Sequence, residues 1–295
     1  MTDVDLRKLR YFVAVAEELH FGRAAERLHI AQPVLSRQIR ALEHELGAQL
    51  FARTKRSTEL TPAGRQLLDD ARPLLSSAEA LRRRVAQTAR GPKTFTIGFM
   101  PGLTVTPAVR AFEALRPETE VEVLRTTWVD QIQVLYDGRA DVSVVRLPIE
   151  QRGLSVRPLF DEPRVAVLPA DHRLADKTSL DIADLADEHL LQHPDQVPEW
   201  RDIALELRSG RPRPVPAANS VEEKLEHVAS GRGISILPVS VAAYYQRPDV
   251  SAVPVNDIGP NKVCLAWLAS RRSRAIQDFA ALADTIDWTP HLRTR

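Results

Sequence analysis

Hydrophobic positions recur at helical spacing through the first ninety or so residues, and then the period changes. Leu6, Leu9, Val13 and Ala16 mark the inner face of a helix over 5–19. Ala24, Ala25 and Leu28 mark a shorter one over 22–29, small enough on its inner side to let another helix approach. Across 33–46, Leu35, Ile39, Leu42 and Leu46 fall at i, i+4, i+7 and i+11. Pro33 suits the first helical position, where its missing N–H has no partner to lose, and Gly47 suits the stop. The basic stretch 50–64 reads as two short strands with a tight turn. From Pro62 to about Arg90, Leu67, Ala71, Leu74, Ala78, Leu81 and Val85 repeat at steps of 4 and 3. That is an a/d seam suited to another helix, with packing onto the chain's own core as the alternative. Pro73 inside it predicts a kink or a local break.

Gly91-Pro92-Lys93 reads as a hinge, and beyond it short apolar runs alternate with helical stretches. Strands are expected at 94–99, 120–124, 141–145, 164–168, 189–193, 214–218, 234–238 and 262–269. Helices are expected near 106–116, 129–137, 180–185, 199–208, 221–229, 239–245 and 274–286. The alternation implies parallel pairing with right-handed crossovers. The strands are too many for one small sheet, so two α/β subdomains with a cleft between them are expected.

Charge sharpens this division. Residues 1–90 carry 16 Lys and Arg against 11 Asp and Glu, a net of +5, while the rest is net −4. A basic head on an acidic body permits nucleic-acid binding at one end. No apolar run approaches the roughly 20 residues that span a bilayer. The N-terminal segment lacks the basic-then-apolar pattern of a signal peptide. A cytoplasmic protein with no membrane partner is therefore expected. The single cysteine, Cys264, excludes an intramolecular disulfide and a multi-cysteine metal site, and reads as a buried small hydrophobe.

The third helix carries a second row. Pro33, Ser36, Arg37 and Arg40 fall at i, i+3, i+4 and i+7, off the apolar face. A helix about 10–12 Å wide fits the major groove, and Arg can read guanine with two hydrogen bonds. Helix, short turn, helix with a polar outer face is a helix-turn-helix geometry. A merely solvated face of a three-helix unit has the same pattern.

The stretch 23–64 also resembles the N-terminal signature of the LysR-type transcriptional regulators. The likeness runs through Ala24-Ala25, Leu28, Gln32-Pro33, Ser36-Arg37-Gln38-Ile39, Leu42-Glu43, Gly47, Leu50-Phe51, Arg53 and Leu60-Thr61-Pro62-Ala63-Gly64. DGRADVSVVRLP, PLFDEPRVAVLPADHRLA and ASGRGISILP are similar to that family's effector domain, so the likeness covers essentially the whole chain. The wording is closest to the branch that senses aromatic-degradation intermediates. The resemblance implies an all-α winged helix-turn-helix head over 1–61 and a dimerising linker helix over 62–91. It further implies a periplasmic-binding-protein-like effector domain over 92–295. Subdomain I would comprise about 92–162 and 266–295, and subdomain II about 163–265. It also implies a homotetramer, an inverted-repeat operator on double-stranded DNA, and a small-molecule effector. By motif position Gln32, Pro33, Ser36 and Arg37 would contact the major groove, and Arg53 would reach phosphate or the minor groove. Arg40 and Arg56 join them on the physical reading alone.

Ligands of open α/β sheets bind beyond the carboxyl ends of strands. Those ends place Pro101, Gly102, Leu103, Thr104, Thr127, Trp128 and Arg146 in one half, and His193 and Ser220 in the other. Arg146 is a candidate for a bidentate bond to an effector carboxylate, or else for a structural salt bridge. Trp128 stands where that family tends to have a small hydroxyl residue. It would stack on the effector, narrow the pocket, or turn into the core. Ser220 also reads as a helix cap. His189 and His193 in a strand would lie about 13 Å apart, too far for one metal. Gly231-Arg232-Gly233 lacks the rest of a dinucleotide fingerprint, and no hydrolase elbow, Walker loop or zinc-protease motif is present. No cofactor and no metal are expected, and no enzymatic activity. An exported solute-binding protein and an enzyme with a DNA-binding head are the competing classes.

Overall fold

Three helices and a two-stranded wing build the N-terminal unit: α1 (Leu6–Glu18), α2 (Phe21–Arg27), α3 (Gln32–Leu46), β1 (Phe51–Arg53) and β2 (Thr58–Leu60). The computed structural model describes residues 4–53, 57–90, 93–218 and 220–289. They divide into two units, one running to Ala89 and including Tyr136–Gly138, the other comprising the remainder. Asp5 caps α1, its carboxylate accepting from Arg7 N–H at 2.7 Å. His20 caps α2 through Nδ1. Leu9, Phe12, Val15, Ala24, Ala25, Leu35, Ile39 and Leu42 form the core, closed by Phe51 from the wing. Leu46 does not join them. It is exposed, because the last turn of α3 runs past the edge of this core.

The long helix α4 (Pro62–Arg90) begins at a tight corner. The Thr61 hydroxyl accepts from Gly64 N–H at 3.0 Å and donates to Gln49 O at 2.7 Å. A Cβ on Gly64 would stand 2.1 Å from the Leu50 carbonyl oxygen, so only glycine fits. Ala71 is buried in the head core with Leu67, Leu68 and Leu75 packed around it. The first two seam positions are thus used within the chain. Leu74, Leu81 and Val85 are exposed. The helix is unbroken through Pro73, contrary to a local break, and Pro73 lies on an exposed side where water can satisfy the freed carbonyl.

The second unit holds two lobes. In the first, β3 (Lys93–Phe99) pairs in parallel with β4 (Thr119–Arg125) and β5 (Val142–Arg146). Helix α5 (Thr106–Leu115) connects β3 to β4, and α6 (Gln133–Tyr136) lies between β4 and β5. β6 (Leu154–Glu162) leads into the second lobe, where β7 (Arg164–Pro169) follows. Three short helices, α7 (Pro198–Arg201), α8 (Leu205–Arg208) and α9 (Val221–Ala229), precede β8 (Ser235–Pro238), α10 (Val239–Tyr244) and β9 (Val250–Pro254). β10 (Asn261–Leu268) returns to the first lobe and inserts antiparallel between β5 and β6, and α11 (Arg274–Ala283) packs on that sheet.

Several expectations need correction. The lobe boundary falls before Asn261, because all of β10 pairs in the first sheet. The second lobe's sheet, β8-β7-β9, is antiparallel, and among the described residues parallel geometry survives there only as single bridges at Leu180–Val255 and Leu190–Ile234. Residues 189–193 are therefore one bridge rather than a strand. Residues 214–218 form no strand, since two prolines in five positions remove the N–H groups a ladder needs. The helix expected over 199–208 is α7 and α8 separated by a turn. Only 133–136 of 129–137 is helical. Strands β6 and β9 were not anticipated. Trp200 anchors the second lobe's core, its indole N–H donating to Leu185 O at 3.1 Å.

Candidate DNA-reading face and effector cleft

Burying Leu35, Ile39 and Leu42 turns the opposite side of α3 outward. Gln32, Pro33, Arg37 and Arg40 are exposed there and Ser36 half-buried. The turn before α3 is reached through His29, whose φ of 53° reverses the chain in the space of a few residues. Glu43 Oε1 accepts from Leu50 and Phe51 N–H at 3.0 and 3.3 Å, which ties α3 to the wing. Four other cations of the head are paired with carboxylates. Arg23 meets Glu18, Arg27 and Arg72 meet Glu17, and Lys8 meets Glu45. Arg37 and Arg40 have no carboxylate partner among the described residues, so their charge is available to phosphate or base edges. Arg53 ends β1, and Arg56 lies outside the described residues.

Arg146 is not available to a ligand. Its guanidinium is fully buried, with Nε donating to Glu162 Oε1 at 3.0 Å, Nη1 to Pro101 O at 2.8 Å and Nη2 to Ser240 Oγ at 2.8 Å. Gln131 clamps its backbone, accepting from Arg146 N–H at 2.8 Å and donating to its carbonyl at 3.2 Å. Ser240 N–H donates to the other Glu162 oxygen at 3.2 Å. Burial pulls the Arg146 pKa down and the Glu162 charge opposes it. The guanidinium is thus a structural tie: it joins β5 and the Pro101 loop in the first lobe to α10 in the second. Trp128 does not turn into the core. It is 39% exposed and lies beside this tie, its ring centroid 6.0 Å from the Arg146 guanidinium carbon.

The remaining candidates separate. Gly102 has φ +79°, and a Cβ there would stand 2.8 Å from the α10 backbone at Val241. The 101–104 loop therefore abuts α10 through a bare backbone. Leu103 is buried in the first lobe's core rather than lining a pocket. Thr127 is exposed, with its hydroxyl 2.8 Å from Asp130 Oδ1. His193 is exposed and caps a short 3-10 turn. Ser220 caps α9, accepting from Glu223 N–H at 3.2 Å. His189 is held by Glu206 at 3.0 Å. Gly102 and Thr104 line an open cavity of about 770 Å³, with Val221, Leu225, Val241 and Tyr245 from the second lobe. Glu162, Ser240, Gln131 and Tyr245 were missed in the sequence, where nothing marks them apart from other polar residues of surface type.

A three-helix head with a wing, a long helix, and two α/β lobes around a cleft define a ligand-responsive DNA-binding regulator. Residues 6–65 match the family described as "Bacterial regulatory helix-turn-helix protein, lysR family", and residues 89–285 match "LysR substrate binding domain". The chain belongs to the LysR family of transcriptional regulators. It is 33% identical over 290 residues to the Hca operon transcriptional activator HcaR of Escherichia coli K12, covering 95% of this chain and 97% of that protein. Its fold is similar to that of CbnR, a LysR family transcriptional regulator, with a TM-score of 0.61 at 26% identity over 96% of this chain and 99% of that one. Full-length CbnR complexed with its target DNA aligns at a TM-score of 0.58 and 25% identity, over 96% of this chain and 99% of that one. The protein is a DNA-binding regulator that responds to a small-molecule effector, and its relatives are regulators rather than enzymes. Among the described residues no helix is long and apolar enough to cross a membrane.

Proposed function

We propose that this regulator is cytoplasmic, reads an inverted-repeat operator, and is governed by an anionic effector of the kind formed in aromatic degradation. Gln32, Pro33, Ser36 and Arg37 supply the major-groove contacts, Arg40 adds phosphate attraction, and the wing contributes Arg53 and Arg56. The observation that carries this is the outward face of α3, where Arg37 and Arg40 stand exposed without carboxylate partners among the described residues, while Arg23 and Arg27 of the preceding helix are paired. The DNA complex of CbnR supports the same use of the head. The exposed Leu74, Leu81 and Val85 of α4 support pairing of two chains through that helix, with two such pairs forming the tetramer. Effector binding in the cleft shifts the population of lobe arrangements, and through it the spacing of the heads.

Selection from a random double-stranded library, at two salt concentrations, tests the reading. An enriched inverted repeat with half-sites about one helical turn apart is expected. Binding that is uniform across sequences and vanishes with salt would reduce the head to phosphate attraction.

A further inference from the structure

With Arg146 committed to Glu162, the effector's anionic group needs another cation. Arg125 ends β4, directly before the Thr126-Thr127-Trp128 segment. Its Nη2 donates to Tyr245 Oη at 3.2 Å and lies 3.5 Å from Glu222 Oε2. Both partners belong to the second lobe. Glu222 sits in the first turn of α9, and Tyr245 follows α10 and lines the 770 Å³ cavity. The three residues therefore bridge the lobes, and Tyr245 connects them to the cavity.

We propose that Arg125, Glu222 and Tyr245 form an exchangeable clasp across the mouth of the cleft, and that Arg125 receives the carboxylate of the effector, with Glu222 as the internal anion it displaces. This rests on the effector reading above and names the residue that meets the anion. Magnitudes separate it from the buried tie. The side chains of Arg125 and Glu222 are 50% and 54% exposed, and such pairs contribute little to stability. Arg146 and Glu162 are wholly buried, so parting them would strand an uncompensated charge. An incoming carboxylate can bond Arg125 through two N–H groups while its apolar part lies against Val221, Val241 and Tyr245. Glu222 is not stranded when it leaves. Backbone N–H donation at the start of α9, the Ser220 hydroxyl and nearby Arg125 all hold its carboxyl below the usual range, and the first two remain after the exchange. The tie from β4 to α9 opens as the ligand takes Arg125. The two states thus differ in contacts, which a ligand requires in order to shift them.

The test uses the full chain with Cys264→Ala, spin labels at Glu113→Cys in α5 and Asp187→Cys in the second lobe, and dilution into unlabelled protein. Pulsed dipolar spectroscopy then reads the distance distribution between the lobes. Glu222→Gln is expected to shift this distribution without ligand. Benzoate is expected to shift the wild-type distribution in the same sense, benzamide to leave it unchanged, and Arg125→Gln to abolish the benzoate response. An unchanged distribution in Glu222→Gln, no response to benzoate, an equal response to benzamide, or a benzoate response retained in Arg125→Gln would each overturn the clasp. The operator reading is tested separately, on wild-type protein by library selection, so the two fail independently.

Discussion

At the scale of single residues, partners decide which charges act. Arg37 and Arg40 share one exposed face yet occupy different places along it. Arg37 lies one turn into α3 beside Ser36, and Arg40 a further turn along. Arg37→Ala is expected to weaken binding to the selected operator by about 1–3 kcal/mol and to relax preference at one position of each half-site. Arg40→Gln is expected to lower affinity evenly across sequences and to reduce the salt slope by about one per head. Fluorescence anisotropy across salt, on operator and single-base variants, reads both effects, and identical behaviour of the two variants would sink the division of roles. Lys224 poses the opposite case, a partly buried cation, again with no carboxylate partner among the described residues. Burial lowers its pKa from 10.5 to about 8. The folded chain then sheds this proton at a lower pH than the unfolded chain. The cost is complete below about 8, shrinks as pH rises, and is gone above 10.5. Lys224→Met is expected to raise stability near neutral pH by up to about 3 kcal/mol, with the gain fading as pH climbs through that window. Urea unfolding at neutral and alkaline pH checks the sign, and a gain that grew with pH would refute it.

At the scale of elements, the sequence was legible where one element supplied its own evidence. The apolar row of α3 and the Leu60–Gly64 corner are local patterns, although the Leu50 carbonyl that requires Gly64 comes from across the wing. Leu46 was misplaced because a period continues past the point where the core ends. Strands were legible where a continuous ladder formed. Residues 189–193 have the composition of a strand but pair at one bridge. β6 sets Phe160 opposite Val263 and Pro158 opposite Cys264, a register shift that skips Leu159 and hides its alternation. The effector cleft was least legible. Arg146 meets Glu162 sixteen positions on and Ser240 ninety-four positions on, distances that no periodicity reports. That tie makes an element-scale prediction. Arg146→Ala leaves Glu162 charged and buried and is expected to cost about 3–5 kcal/mol. Arg146→Met with Glu162→Leu removes both charges and is expected to recover most of that loss. Chemical denaturation of the single and double variants measures the coupling, and strictly additive losses would show that the two charges do not depend on each other.

At the scale of the whole molecule, the question is how one small reading face becomes a specific regulator. A single α3 presents few base-reading side chains, and each good bidentate contact is worth about 1–3 kcal/mol of discrimination. Two heads joined through α4 convert the second half-site into an intramolecular binding event, which multiplies affinity without a new contact. The join is argued from Leu74, Leu81 and Val85, whose exposure of 47%, 58% and 63% is high for apolar residues on one helix. Leu67 and Ala71 already pack on the head, so the stripe beyond them is what remains for a partner. Leu81→Glu with Val85→Glu places like charges in that seam and leaves the head core untouched. The variant is expected to sediment with a smaller mass than wild type. It should bind the full inverted repeat only about as tightly as an isolated half-site, and should keep wild-type affinity for that half-site. Analytical ultracentrifugation and anisotropy on full and half operators measure the three quantities. If the mass falls and full-operator affinity does not, the heads act singly, and specificity must reside in α3 and its wing alone.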